Sequence, residues 1–129
     1  MRRELKTNEL TRAELEIMQA IWELGECFLG EITEAIAEPK PAYNTVASTL
    51  KVLVNKGYVG YRVWNKSHQY FAVLRKDDYR ATTLRHTLGR FFDNSPAQLV
   101  AFLNDSGTLT NKEYEDLREI ARQIVESKK

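Results

Sequence analysis

Cysteine is almost missing from this chain. Cys27 stands alone in 129 residues, which excludes a disulfide framework and any zinc site built on several thiolates. Glycine and proline are few, six and three, and there is no low-complexity tract or internal repeat. No apolar run approaches the roughly 18 residues of a membrane span. Met1-Arg2-Arg3-Glu4-Leu5-Lys6 has no hydrophobic stretch behind it, which argues against a signal peptide. A Gly-rich phosphate loop, a nucleophile motif and a histidine paired by context with a carboxylate are all lacking, so an enzyme is not expected. His68 and His86 lie far apart without acidic or thiol partners in a ligand pattern, so neither metal nor cofactor is expected. The expectation is a soluble, cytoplasmic protein of one domain, or one small domain with an appendage. A chain of this length can bury roughly two thirds of its unfolded surface without a covalent staple.

The most informative absence is of acid. Residues 1–38 hold four basic and nine acidic side chains, and residues 77–129 hold eight basic and nine acidic. Between them, residues 39–76 hold Lys40, Lys51, Lys56, Arg62, Lys66, Arg75 and Lys76, and no Asp or Glu. The formal net charge of +1 conceals this block. It implies a positive face aimed at a polyanion, the plain alternative being chance clustering of solvated lysines.

What is present reads as helices, a hairpin, then helices. Thr11-Arg12-Ala13-Glu14 is a capping box, with Leu10 and Leu15 placed as a hydrophobic staple and Gly25 placed to stop the helix. A short second helix fits Leu29 to Ala37, before Pro39 and Pro41 break the chain. A third fits Ala42 to Asn55, ending at Gly57. At about 100° per residue, Val46, Leu50 and Leu53 fall on one face, and Asn44, Ser48, Lys51 and Asn55 on the opposite one. Tyr58 to Trp64 and His68 to Leu74 are aromatic and β-branched, with Asn65-Lys66-Ser67 as a turn between two strands. From Asp77, with Asp77 or Asp78 as cap, a helix reaches Phe92. Ser95-Pro96-Ala97-Gln98 opens a second helix, and Thr110-Asn111-Lys112-Glu113 opens a third.

Three helices followed by a basic hairpin is the order of a winged helix-turn-helix. The expected fold is mainly α with a small β-hairpin wing: a winged-helix head over residues 1–76 and a three-helix arm over residues 77–129. The arm alone forms a very thin core. Its apolar positions Phe91, Leu99, Phe102, Leu103, Tyr114, Leu117, Ile120 and Ile124 are therefore expected to pack against a second copy, making a homodimer. The competing arrangement is a monomer with all six helices around one core.

Several of these residues together resemble the penicillinase repressor (BlaI/MecI/CopY) family. They are Leu10-Thr11, Glu14, Ile17-Met18 and Ile21-Trp22; Glu31-Ile32; Tyr43-Asn44-Thr45-Val46, Ser48-Thr49-Leu50 and Leu53; Lys56-Gly57-Tyr58-Val59; and Tyr70. The likeness continues through Phe91-Phe92, Leu99-Val100 and the last helix. It implies a homodimeric transcriptional repressor on a palindromic double-stranded DNA operator, with the short recognition segment falling on Asn44, Thr45, Val46 and Ser48. It also implies release by proteolysis in the second C-terminal helix, after a membrane-bound β-lactam sensor is activated. Three departures stand out. The cysteine pairs of the copper-responsive branch are missing. The scissile stretch, Leu-Val-Leu-Asn-Phe in the β-lactam branch, is here Leu99-Val100-Ala101-Phe102-Leu103. The wing has Asn65-Lys66 in place of Gly-Arg and Ala72 in place of a closing Pro.

The candidate DNA-binding residues are Tyr43, Asn44, Thr45, Ser48, Lys51, Arg62 and Lys66. Asn44, Thr45 and Ser48 suit base edges or phosphate, although solvated helix surface or an N-terminal cap would use the same residues. Lys51, Arg62 and Lys66 suit phosphate, and Tyr43 could stack on sugar or pack into the domain. Trp22 and Trp64 are expected in core or hairpin packing, and Cys27 as a buried or half-buried thiol. A winged-helix module that binds only protein is the second reading; it would place apolar or acidic residues on the exposed face of the third helix.

Overall fold

A computed structural model describes residues 10–128. Residues 1–6, on which the signal-peptide reading rests, lie outside that range. Helix α1 (Arg12–Leu24) begins at its capping box: Thr11 Oγ1 accepts from the Glu14 N–H at 3.1 Å, and Glu14 Oε1 accepts from the Thr11 N–H at 2.9 Å. Gly25, at φ +81°, ends it. A two-residue strand, β1 (Cys27–Phe28), leads into α2 (Leu29–Ala35). That helix stops short of the expected Ala37 because Ile36 turns extended and buries its side chain. Lys40 Nζ then caps the exposed carbonyls of Glu34 and Ile36 at 2.6 and 2.8 Å. Helix α3 (Tyr43–Asn55) follows, with Val46, Leu50 and Leu53 buried as their spacing requires.

The wing is β2 (Val59–Trp64) and β3 (Ser67–Ala72), paired antiparallel from Val59 opposite Ala72 to Trp64 opposite Ser67. Its turn is two residues, not the three read from sequence: Asn65 and Lys66 both lie at positive φ, +48° and +68°. That double left-handed step matches the right-handed twist of the strands, and it returns Ser67 to the ladder. The second strand closes at Ala72 rather than Leu74. Nor is the wing a bare hairpin, since β1 adds to the far edge of β3, with Cys27 opposite Tyr70 and Phe28 opposite Gln69.

Helix α4 (Lys76–Phe91) starts before Asp77 and Asp78, which sit in its first turn and favour the helix dipole instead of capping it. It ends one residue before the expected Phe92, where Asp93 and Asn94 take positive φ. Helices α5 (Pro96–Asp105) and α6 (Asn111–Ser127) open on their expected caps: Ser95 Oγ accepts from the Gln98 N–H, and Thr110 and Glu113 form a reciprocal box.

The chain divides into two compact units, one up to Thr83 and one from Leu84. The first has a closed core in which Met18, Ile21, Ile32, Leu50, Leu53 and Leu74 are essentially inaccessible. Trp22 seals its edge as expected, donating its indole N–H to the Leu74 carbonyl at 2.9 Å and lying 6.0 Å from the Tyr79 ring. Tyr79, from the first turn of α4, accepts the Leu10 N–H at its hydroxyl, 3.1 Å. Cys27 is buried, and burial with Glu31 nearby pushes its thiol up to about 11, so it stays protonated and unreactive. The second unit has an edge-to-face Phe92–Phe102 pair at 5.7 Å, but no residue of α5 or α6 is buried. The architecture is a winged helix, mainly α with a three-stranded antiparallel sheet, followed by a helical segment. Among the described residues no helix is long and apolar enough to cross a membrane.

Candidate functional site

With Val46, Leu50 and Leu53 anchored in the core, α3 turns Tyr43, Asn44, Thr45, Ser48 and Lys51 outward, all exposed and without an acidic neighbour in the first turn. Ser48 Oγ donates to the Asn44 carbonyl at 2.7 Å, and Thr49 Oγ1 donates to the Thr45 carbonyl at 2.9 Å. The Ser48 hydroxyl proton is thus engaged by its own helix, leaving its oxygen lone pairs as acceptors toward solvent.

A groove of about 390 Å³ separates Tyr43 from the wing. Its walls are Tyr43 at the head of α3, the Phe28–Gly30 stretch, and Lys66, Ser67, His68 and Tyr70 of the hairpin. Tyr43 and Lys66, 23 residues apart in sequence, therefore line one site. On the core side of the hairpin the Tyr61 and His68 rings stack at 4.3 Å, and the Tyr70 hydroxyl lies 3.4 Å from His68 Nδ1. Burial, then the neighbouring Tyr61 and Tyr43, raise the Tyr70 hydroxyl above the usual phenol range.

Arg62 is placed differently. The register pairs it with Gln69, on the same side of the hairpin as Gly60 and Phe71. Its guanidinium sits 5.3 Å from the centre of the Phe71 ring and forms an ion pair with Glu26. Arg62 is thus on the opposite face of the hairpin from the Tyr61–His68 stack, and its charge already has a partner.

Internal partners also thin out the rest of the acid-free block. Lys40 caps α2, and Lys56 Nζ reaches Glu14 at 2.7 Å. Glu14 is only 4% exposed, and burial by itself would raise its carboxyl. Lys56 and the Thr11 N–H outweigh that effect and hold it below the usual carboxylate range. Among the described residues Lys51, Lys66, Arg75 and Lys76 have no carboxylate partner; Lys51 is exposed on α3 and Lys66 lines the groove at the wing tip. Trp64 overturns its expectation. It is 60% exposed beside the turn rather than part of the core.

The apolar positions assigned to the arm all fall in the second unit. Phe91, Phe102, Tyr114, Ile120 and Ile124 are exposed, Phe91 by 74%, and Leu99, Leu103 and Leu117 are half-buried. A mainly apolar groove of about 490 Å³ runs past Val100, Tyr114, Leu117 and Ala121.

A family model described as penicillinase repressor matches residues 10–123 of this chain. The methicillin resistance regulatory protein MecI of Staphylococcus aureus (strain N315) is 27% identical over 116 residues, covering 89% of this chain and 94% of its own length. A penicillinase repressor of Staphylococcus aureus is 27% identical over 120 residues, covering 92% and 95%. Among solved structures, the multiple antibiotic-resistance repressor (MarR) from Listeria monocytogenes 4b F2365 superposes with a TM-score of 0.50 at 16% identity, covering 95% of this chain and 77% of that one. At that identity the likeness is one of fold.

Proposed function

The chain belongs to the penicillinase repressor family of winged-helix transcriptional regulators, and on that premise we propose that it is a homodimeric repressor of a palindromic DNA operator. The observation that carries this reading is the outer face of α3. It is polar, exposed and acid-free, and is held rigid by a core face of three buried aliphatic residues. A helix of that kind enters the major groove, where Asn44 offers the paired donor and acceptor that match adenine, and Thr45 and Ser48 offer short adaptable hydroxyls. Tyr43, Lys51 and Lys66 bracket this face and contact sugar and phosphate, fixing register without reading sequence. Arg62 joins them only by exchanging Glu26 for a phosphate.

The second unit supplies the two-fold axis. Phe91, Phe102, Ile120 and Ile124 leave too much apolar surface in water for a lone chain, and burying such surface is worth about 25 cal/mol per Å². Paired arms then set the half-site spacing near one or more turns of the duplex. Leu99-Val100-Ala101-Phe102-Leu103, the counterpart of the family's scissile stretch, lies within α5. Release by proteolysis there requires that helix to unwind first, because a protease takes its substrate extended.

The test is selection of bound duplexes from a random DNA pool at near-physiological salt. An enriched palindrome is the expected result. Retention without enrichment would overturn sequence-specific repression, and no binding even at low salt would favour a protein-interaction module.

A further inference from the structure

We propose that Trp64 is a DNA contact of the wing, its indole packing on the deoxyribose edge next to the phosphate held by Lys66. This rests on the DNA-binding reading above. The other rings of the hairpin are accounted for: Tyr61 stacks on His68, Tyr70 is half-buried beside them, and Phe71 occupies the space over Gly60 beneath Arg62. Trp64 has no ring partner among the described residues and is 60% exposed. Most of its surface is left in solvent, and a Trp offers about 150–250 Å² for burial.

Its placement is fixed. Trp64 and Ser67 form the last pair of the ladder, and the two left-handed residues Asn65 and Lys66 close the turn directly beyond them. The indole at the end of β2 and the ammonium two residues on, in the turn, are therefore both presented at the tip of the wing. The chemistry around them selects the partner. No carboxylate occurs between residues 39 and 76, and Glu26, which meets the wing at Arg62, is paired there. A cation and an exposed apolar ring on one acid-free hairpin complement a sugar flanked by phosphates. The indole adds contact area that carries no counterion, whereas Lys66 adds charge.

That difference gives the test. In the full chain bound to the selected duplex, Trp64→Ala lowers affinity about tenfold, equivalent to roughly 1.4 kcal/mol, at every salt concentration. The slope of log affinity against log salt stays unchanged for this variant, while Lys66→Ala reduces it by about 0.9. In the wild-type chain, DNA shields the accessible tryptophan from acrylamide quenching; Trp22, half-buried and hydrogen-bonded to Leu74, serves as the internal reference. Undiminished affinity of the variant, or unchanged quenching in a wild-type complex that does form, would overturn the role of Trp64. Failure of the wild-type chain to bind the duplex would instead overturn the DNA-binding reading itself.

Discussion

Glu14 shows how one side chain can serve two structural ends. Its carboxylate closes the α1 capping box and neutralises Lys56, which arrives from the end of α3. Because its folded pKa lies below the ordinary value of 4.5, its contribution is present at neutral pH and is lost as pH falls through the folded value. Glu14→Gln should cost about 1–2 kcal/mol at neutral pH, with solvent at the half-exposed Lys56 limiting the loss, and should flatten the acid limb of stability. Urea midpoints measured between pH 7 and 3 check both. Glu26 is a different case, since its pair with Arg62 is half exposed on both sides and contributes little to stability. Glu26→Gln should leave the urea midpoint nearly unchanged but raise DNA affinity several-fold, by freeing the guanidinium for phosphate; titration with the selected duplex decides it. The capping role of Glu14 was legible, because Thr11 and Glu14 are three residues apart. The partners of Lys56 and Arg62 were not: they lie 42 and 36 residues away in sequence, and no local pattern records such distances.

At the scale of elements, the proposed function divides the outer face of α3 between base reading by Thr45 and Ser48 and phosphate holding by Lys51. Thr45→Ala or Ser48→Ala should change which sequences are enriched in a selection, whereas Lys51→Ala should weaken binding to all sequences alike. Equal, sequence-independent losses from all three would contradict the division. Gly60 matters to the wing for a steric reason, since a Cβ there would meet the Phe71 ring at 2.6 Å. Gly60→Ala should push that ring outward with the guanidinium above it, costing about 1–3 kcal/mol in urea unfolding. The helices were readable because their caps and apolar stripes repeat locally, and Val46, Leu50 and Leu53 are buried as their spacing required. Strand β1 was not, as two residues carry no periodicity. The length of the turn was equally hidden, since Asn65-Lys66-Ser67 is compatible with two or three residues until Trp64 is seen opposite Ser67. Trp64 misled for a related reason: aromatic content predicts a strand but not which of its rings finds a partner.

For the whole molecule, the contrast between the units is the central physical fact. The first buries Ile17, Met18, Ile21, Leu50, Leu53 and Tyr79 in one core, while no residue of α5 or α6 is more than half-buried. Tyr79 belongs to the first core although it lies beyond Lys76, so a chain cut at 76 would lose the acceptor of the Leu10 N–H and the ring beside Trp22. A chain ending at Thr83 keeps both. Apolar spacing alone could identify the stripe Tyr114, Leu117, Ile120 and Ile124; it could not tell a stripe that folds onto its own head from one left for a second copy. Sedimentation equilibrium of the full chain beside the chain ending at Thr83 tests this most directly. A two-fold repressor gives a dimer for the full chain and a folded monomer for the shortened one. A monomeric full chain, or a shortened chain that still dimerises, would contradict the account.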